Sequence, residues 1–149
     1  MQQILDNVKC NRHLYYETII QNIEHFIYRD ERYNASFSLA AVCSKEQTAL
    51  NPDILHKELR KTDKIIRLSD DLLCIIFDYT TNSSYIKAAE NLNSALKEIH
   101  FQENFYISTA ESQEFATNYL NMINKLFDRL EFAIENNIYN TVVYDDYVI

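Results

Sequence analysis

Residues 72–79 read LLCIIFDY, an almost unbroken apolar run that follows the polar triplet Ser69, Asp70 and Asp71. A strand with one wet face alternates apolar and polar side chains. A run without that alternation needs cover on both faces. These residues therefore predict a central strand in a sheet layered by helices. Residues 65–68 (IIRL) have strand composition too, so the segment reads as a hairpin turning at Ser69-Asp70-Asp71.

The rest of the chain supplies the cover. Residues 12–30 carry Leu14, Ile19, Ile20, Ile23, Phe26 and Ile27 at helical spacing, with Asn11 as the expected N-cap. Residues 35–43 (ASFSLAAVC) predict a strand with Phe37, Leu39, Ala41 and Cys43 on one face. After a loop at 44–51 comes a short helix over 52–61, with Asn51 capping and Pro52 at its first position. Residues 81–84 form a cap-rich loop before a helix over 85–99, striped by Ile86, Ala89, Leu92, Leu96 and Ile99. Residues 105–109 predict a strand. Residues 112–136 predict a long helix that ends at Asn136 and Asn137, the latter able to stand in for glycine. A last strand covers 141–144. The tail to Ile149 either extends a sheet edge toward a partner or pairs internally. The order αβαββαβαβ predicts an α/β fold, one domain over residues 1–149.

Glycine is absent and proline occurs once, so any left-handed turn falls to Asn, Asp or Ser at some strain. The net charge of −8 disfavours nonspecific binding to nucleic acid or an anionic membrane. The three cysteines, Cys10, Cys43 and Cys74, form no C-x-x-C pair. They suggest neither a disulfide framework nor a zinc site, which fits a reducing cytoplasm. The four histidines share no ligand spacing, so no metal or cofactor is expected. No apolar run reaches the length of a membrane span, and the polar N-terminus has no signal-peptide pattern. The abundance of Asn, Ile, Tyr and Lys hints at an AT-rich bacterial genome.

The hairpin carries a resemblance. Arg60-Lys-Thr-Asp63 is followed by five residues, 64–68, and then by Ser69-Asp70-Asp71-Leu72-Leu73. This resembles the core of GGDEF (diguanylate cyclase-like) domains, in which an R-x-x-D motif precedes the GGDEF turn at that distance. Asp6 to Arg12 resembles the D-x-L-T-G-L-x-N-R run-in to the family's first helix. Ile107-Ser108-Thr109-Ala110 falls at the S-x-G strand. Asp128, Phe132 and Asn140 fall on the Asp, Tyr and Asn of the C-terminal pattern. The resemblance spans nearly the whole chain. It implies a nucleotidyl-cyclase palm: a mostly antiparallel sheet with a hairpin, flanked by helices.

The departures imply a lost activity. The family's cyclases hold two metal ions with a carboxylate at the end of the first strand and another in the signature turn. Here the strand ends Ala40-Ala41-Val42-Cys43, and Leu72 stands at the signature Glu. Asp71 alone cannot hold a metal pair, and Ser69 and Asp70 replace both glycines. The guanine-reading loop motifs are missing, and Glu135 replaces a phosphate-contacting Lys. The resemblance thus implies a pseudo-enzyme of bacterial signalling that works through a protein partner or homodimer. Its other implication is a cyclic di-GMP site at Arg60 and Asp63, with Arg67 nearby. Arg offers a planar donor fork to phosphate or guanine, and Asp accepts from guanine N–H groups. Against that stands a plain structural role: an exposed Arg, and an Asp that makes a turn before the next strand. Asp70 and Asp71 could bind a cation, but Ser69-Asp70-Asp71 reads better as a glycine-free hairpin turn. The competing classes are a ligand-independent interaction module and a residual nucleotide-processing enzyme.

Overall fold

The computed structural model describes residues 2–80, 84–115 and 118–144. Its order is α1 (Gln2–Tyr33), β1 (Phe37–Ser44), α2 (Pro52–His56), β2 (Lys64–Ser69), β3 (Leu72–Asp78), α3 (Ser84–Ile99), β4 (Phe105–Glu111), a 3-10 turn (Ser112–Phe115), α4 (Tyr119–Glu135) and β5 (Val142–Val143). The strands form one five-stranded sheet, ordered β2-β3-β1-β4-β5. β1 pairs antiparallel with both β3 and β4, and β2 with β3; only β5 runs parallel, to β4. The expected mostly antiparallel sheet between helices is what forms.

The apolar run behaves as its composition demands. Leu72, Cys74 and Ile76 face a core completed by α1 and α4, while Leu73, Ile75 and Phe77 face a second core against α2 and α3. β1 divides the same way: Phe37, Leu39, Ala41 and Cys43 on the first face, Ala40 and Val42 on the second. Each fully buried aliphatic side chain contributes roughly 1.5–3 kcal/mol relative to exposure. The two-sided strand is therefore the main weld of the fold.

Several element boundaries differ from expectation. α1 begins at Gln2, because Ile4, Leu5 and Val8 carry the buried stripe back nearly three turns beyond residue 12. Asn11 is no cap; its side-chain amide donates to the Asn7 carbonyl within the helix. α2 stops at His56, although Asn51 caps it and Pro52 opens it as expected. The predicted helix over 112–136 is split, with Asn118 capping α4 by accepting from the Asn121 N–H. The expected loop residues 81–83 and the tail 145–149 lie outside the described residues. No helix among the described residues is long and apolar enough to cross a membrane.

Candidate functional site

Two ends of the β2–β3 hairpin matter, and they lie a strand length apart. Arg67 faces Leu73 in the register and Lys64 faces Ile76, so Arg67 is near the turn while the chain before Lys64 is at the far end. Arg60 lies at that far end, where its Nη2 donates to the carbonyl of Asp78. The structure therefore corrects the expectation that Arg67 joins Arg60 and Asp63. Arg67 instead donates to the Leu50 carbonyl at 2.9 Å and approaches the exposed Asp70 carboxylate at 4.0 Å.

At the turn, the remnant of the signature is bound to its neighbours. Ser69 Oγ donates to Asp71 Oδ1 at 2.8 Å. The Asp70 and Asp71 carbonyls accept from the backbone N–H groups of Leu50 and Ser44, at 2.8 and 2.9 Å. These bonds draw the loop between β1 and α2 onto the turn. Leu72, at the signature Glu position, is 2% exposed and pairs with Cys43 across the sheet. Burial pushes the thiol of Cys43 well above the usual range, with the Asp71 carboxylate adding to the rise. Burial pushes Cys74 up to about 12. Both are the inert core thiols that their strand positions predict. Tyr15 of α1 packs against this end; burial raises its hydroxyl and the Asp71 charge adds to that. No group of three or more His, Cys, Asp or Glu among the described residues is placed to hold a metal ion.

At the far end, Asp63 is the organiser. Its side chain is 3% exposed and accepts four bonds: from the Arg60 backbone N–H at 3.0 Å, Arg60 Nε at 3.4 Å, Arg60 Nη2 at 3.2 Å and the Asp78 backbone N–H at 2.9 Å. This is the turn-making role weighed for Asp63, and it leaves the carboxylate little capacity for a ligand. Arg60 differs, because its side chain stays 55% exposed while its guanidinium is oriented by a fixed anion. It borders a cavity of about 380 Å³ between the α2–β2 connection, the end of β3 and α3. Lys87, exposed on α3, adds a second cation, and Glu58 opposes them on the rim.

Sequence reasoning missed Lys87 and a third wall residue, Tyr79. Residue 79 reads as the last residue of a strand, but the strand ends at Asp78 and Tyr79 departs with φ 53°. The lack of glycine after an apolar strand was the one available hint that a large residue would have to take such a position.

Elsewhere the motifs of the resemblance come together in space. Arg12 donates to Asp128 at 2.7 Å, joining the run-in of the first helix to the C-terminal pattern. Asn140, at φ 58°, binds the backbone of Phe105 in both directions, at 2.7 and 3.0 Å. Glu135 lies on the surface in an ion pair with Lys9 at 3.3 Å.

A palm-like sheet with this hairpin and these crossing contacts is the fold of GGDEF domains. It is shared with the GGDEF domain of YfiN (TpbB) from Pseudomonas aeruginosa at a TM-score of 0.68 and 10% identity, over 86% of this chain and 93% of that one. The GGDEF domain of DgcB from Caulobacter crescentus, in complex with cyclic di-GMP, matches at 0.61 and 9% identity, over 86% and 88% of the two chains. Diguanylate cyclase SiaD from P. aeruginosa, in complex with its activator SiaC, matches at 0.63 and 12% identity, over 87% of this chain and 57% of SiaD. No protein-family model matches the sequence, and no curated protein matches it. The chain is thus a divergent GGDEF-like fold, similar in backbone to cyclase domains and remote from them in sequence.

Proposed function

We propose that this chain is a catalytically silent signalling domain that binds cyclic di-GMP at Arg60 and passes the signal to a protein partner. The observation that carries the binding half is the exposed Arg60 guanidinium, oriented by a buried Asp63 on the rim of a nucleotide-sized cavity. A fixed guanidinium is pre-organised for phosphate, because less side-chain freedom is lost on binding. Asp63 acts here through Arg60, as a positioning residue. Arg67 and the remnant Ser69, Asp70 and Asp71 have structural roles in this reading.

The silent half is supported by chemistry at the other end. Phosphoryl transfer on a triphosphate needs its charge neutralised, which cyclases do with a metal pair. In place of the carboxylate that would face such metals stands the buried Leu72, and β1 offers Val42 and Cys43. The DgcB complex and the SiaD–SiaC complex supply precedents in this fold for the ligand and for a protein partner. A purely protein-binding module is the second reading, favoured by the exposed Leu14, Tyr28 and Tyr33 along α1.

Calorimetric titration with cyclic di-GMP decides between them. Binding by the wild type that is abolished in Arg60→Ala is the expected result. Absence of heat at high ligand concentration would remove the second messenger and leave the interaction module, to be pursued by partner capture.

A further inference from the structure

Tyr79 is placed in a way that core packing does not explain. Its backbone sits at φ 53°, a region that bulky side chains avoid. The residue is 61% exposed, so little burial offsets the strain. The ring is nevertheless held. The Arg29 guanidinium lies over it, 5.0 Å from the centroid, and Arg29 is fixed in turn by the Asp78 carboxylate at 3.0 Å. Asp78 also gives its carbonyl to Arg60 and its N–H to Asp63. One residue at the end of β3 thus sets both the cation at the cavity rim and the support beneath the aromatic ring. Tyr79 borders the same 380 Å³ cavity as Arg60 and Lys87.

An exposed, braced aromatic ring beside two cations is suited to a planar heteroaromatic ring joined to a phosphate. We infer that Tyr79 is the stacking platform for the base of a nucleotide whose phosphate is held by Arg60 and Lys87. This rests on the nucleotide-binding reading above and adds the residue that would grip the base. Stacking is tolerant of base identity, since every base offers a π-face. The platform therefore predicts binding of nucleotides whatever their base, and the cyclic dinucleotide is one case.

The test uses the full chain, with cyclic di-GMP, GMP and inorganic phosphate as titrants. The variants are Tyr79→Phe, Tyr79→Asn and Arg60→Ala. Asn tolerates the left-handed backbone, so loss of the ring is separated from loss of the fold. Tyr79→Phe should keep wild-type affinity for both nucleotides. Tyr79→Asn should weaken both about tenfold or more while leaving phosphate binding unchanged. If Tyr79→Asn binds nucleotide as the wild type does while Arg60→Ala does not, the platform is wrong and the Arg60 site stands. Tyr79-dependent binding of GMP without cyclic di-GMP would keep the platform and remove the second messenger. A wild type that binds neither nucleotide overturns both.

Discussion

Single residues in this protein carry burdens that glycine carries elsewhere. Among the described residues, five take positive φ: Asn34, Gln47, Tyr79, Asn137 and Asn140. Three are Asn, the residue expected to tolerate that conformation, because its short polar side chain can bond locally. Tyr79 and Gln47 are outside that expectation. Another burdened residue is Glu111, 4% exposed at the end of β4 with Oε1 lacking a hydrogen-bond partner. Burial foremost, then the Glu114 and Asp30 carboxylates, raise its pKa to about 7. Arg129 lies close by on α4, donating to Glu114 at 3.1 Å, and the Tyr119 hydroxyl donates to Asp30 at 3.0 Å. The sign of the linkage follows. A carboxyl whose native pKa exceeds its unfolded value of 4.5 stabilises the fold fully below pH 4.5, and that contribution is lost as pH rises through about 7. Denaturant midpoints measured between pH 5 and pH 8 should therefore fall with pH for this group, and Glu111→Gln should flatten that slope.

At the scale of elements, the hairpin is held at both ends by backbone-directed bonds. Near the turn the loop after β1 is pinned by Leu50 and Ser44. At the open end, Asp63 ties the α2–β2 connection to β3. Replacing Asp63 by Ala would strand the N–H groups of Arg60 and Asp78. Each buried unsatisfied donor costs about 1–3 kcal/mol. Asp63→Ala should shift the urea midpoint downward accordingly, and it should weaken cyclic di-GMP binding even though Asp63 makes no ligand contact in this reading. A binding loss without any stability change would place Asp63 in direct contact with the ligand instead. The helices were readable from their stripes, but their ends were not. Asn11 looks like a cap, yet the buried Ile4, Leu5 and Val8 continue the helix past it. In the other direction, the apolar period runs through 112–136 without showing the break that Asn118 imposes. Packing decides such ends, and local pattern does not.

At the scale of the molecule, the turn end of the hairpin is packed into the core. Leu72 and Cys43 are buried opposite one another, and Leu50 closes the loop above the turn at 1% exposure. Restoring a carboxylate there should harm the fold before it helps the chemistry. Leu72→Glu would bury a charge without a partner, a change that costs several kcal/mol or forces the group to stay protonated. The expected result is a large fall in thermal midpoint with no turnover of GTP in the presence of magnesium. Turnover by that variant would show that the catalytic end is still open.

The sequence alone determined the layered architecture, because an apolar run without alternation can be stable only between two covered faces. The absence of glycine is legible there too, and with it the need for other residues to take left-handed turns. The motif order R-x-x-D, turn, strand made the palm recognisable at identities of 9–12% to the solved domains. Tertiary structure alone decided which residues share a place. Arg67 follows Arg60 closely in sequence, yet an extended strand carries it to the opposite end of the hairpin. Arg29 and Arg60 are far from Tyr79 in sequence, yet Arg29 of α1 lies over the Tyr79 ring while Arg60 and Lys87 border the same cavity as Tyr79. Such convergence depends on how faces pack, and no spacing rule along the chain encodes it.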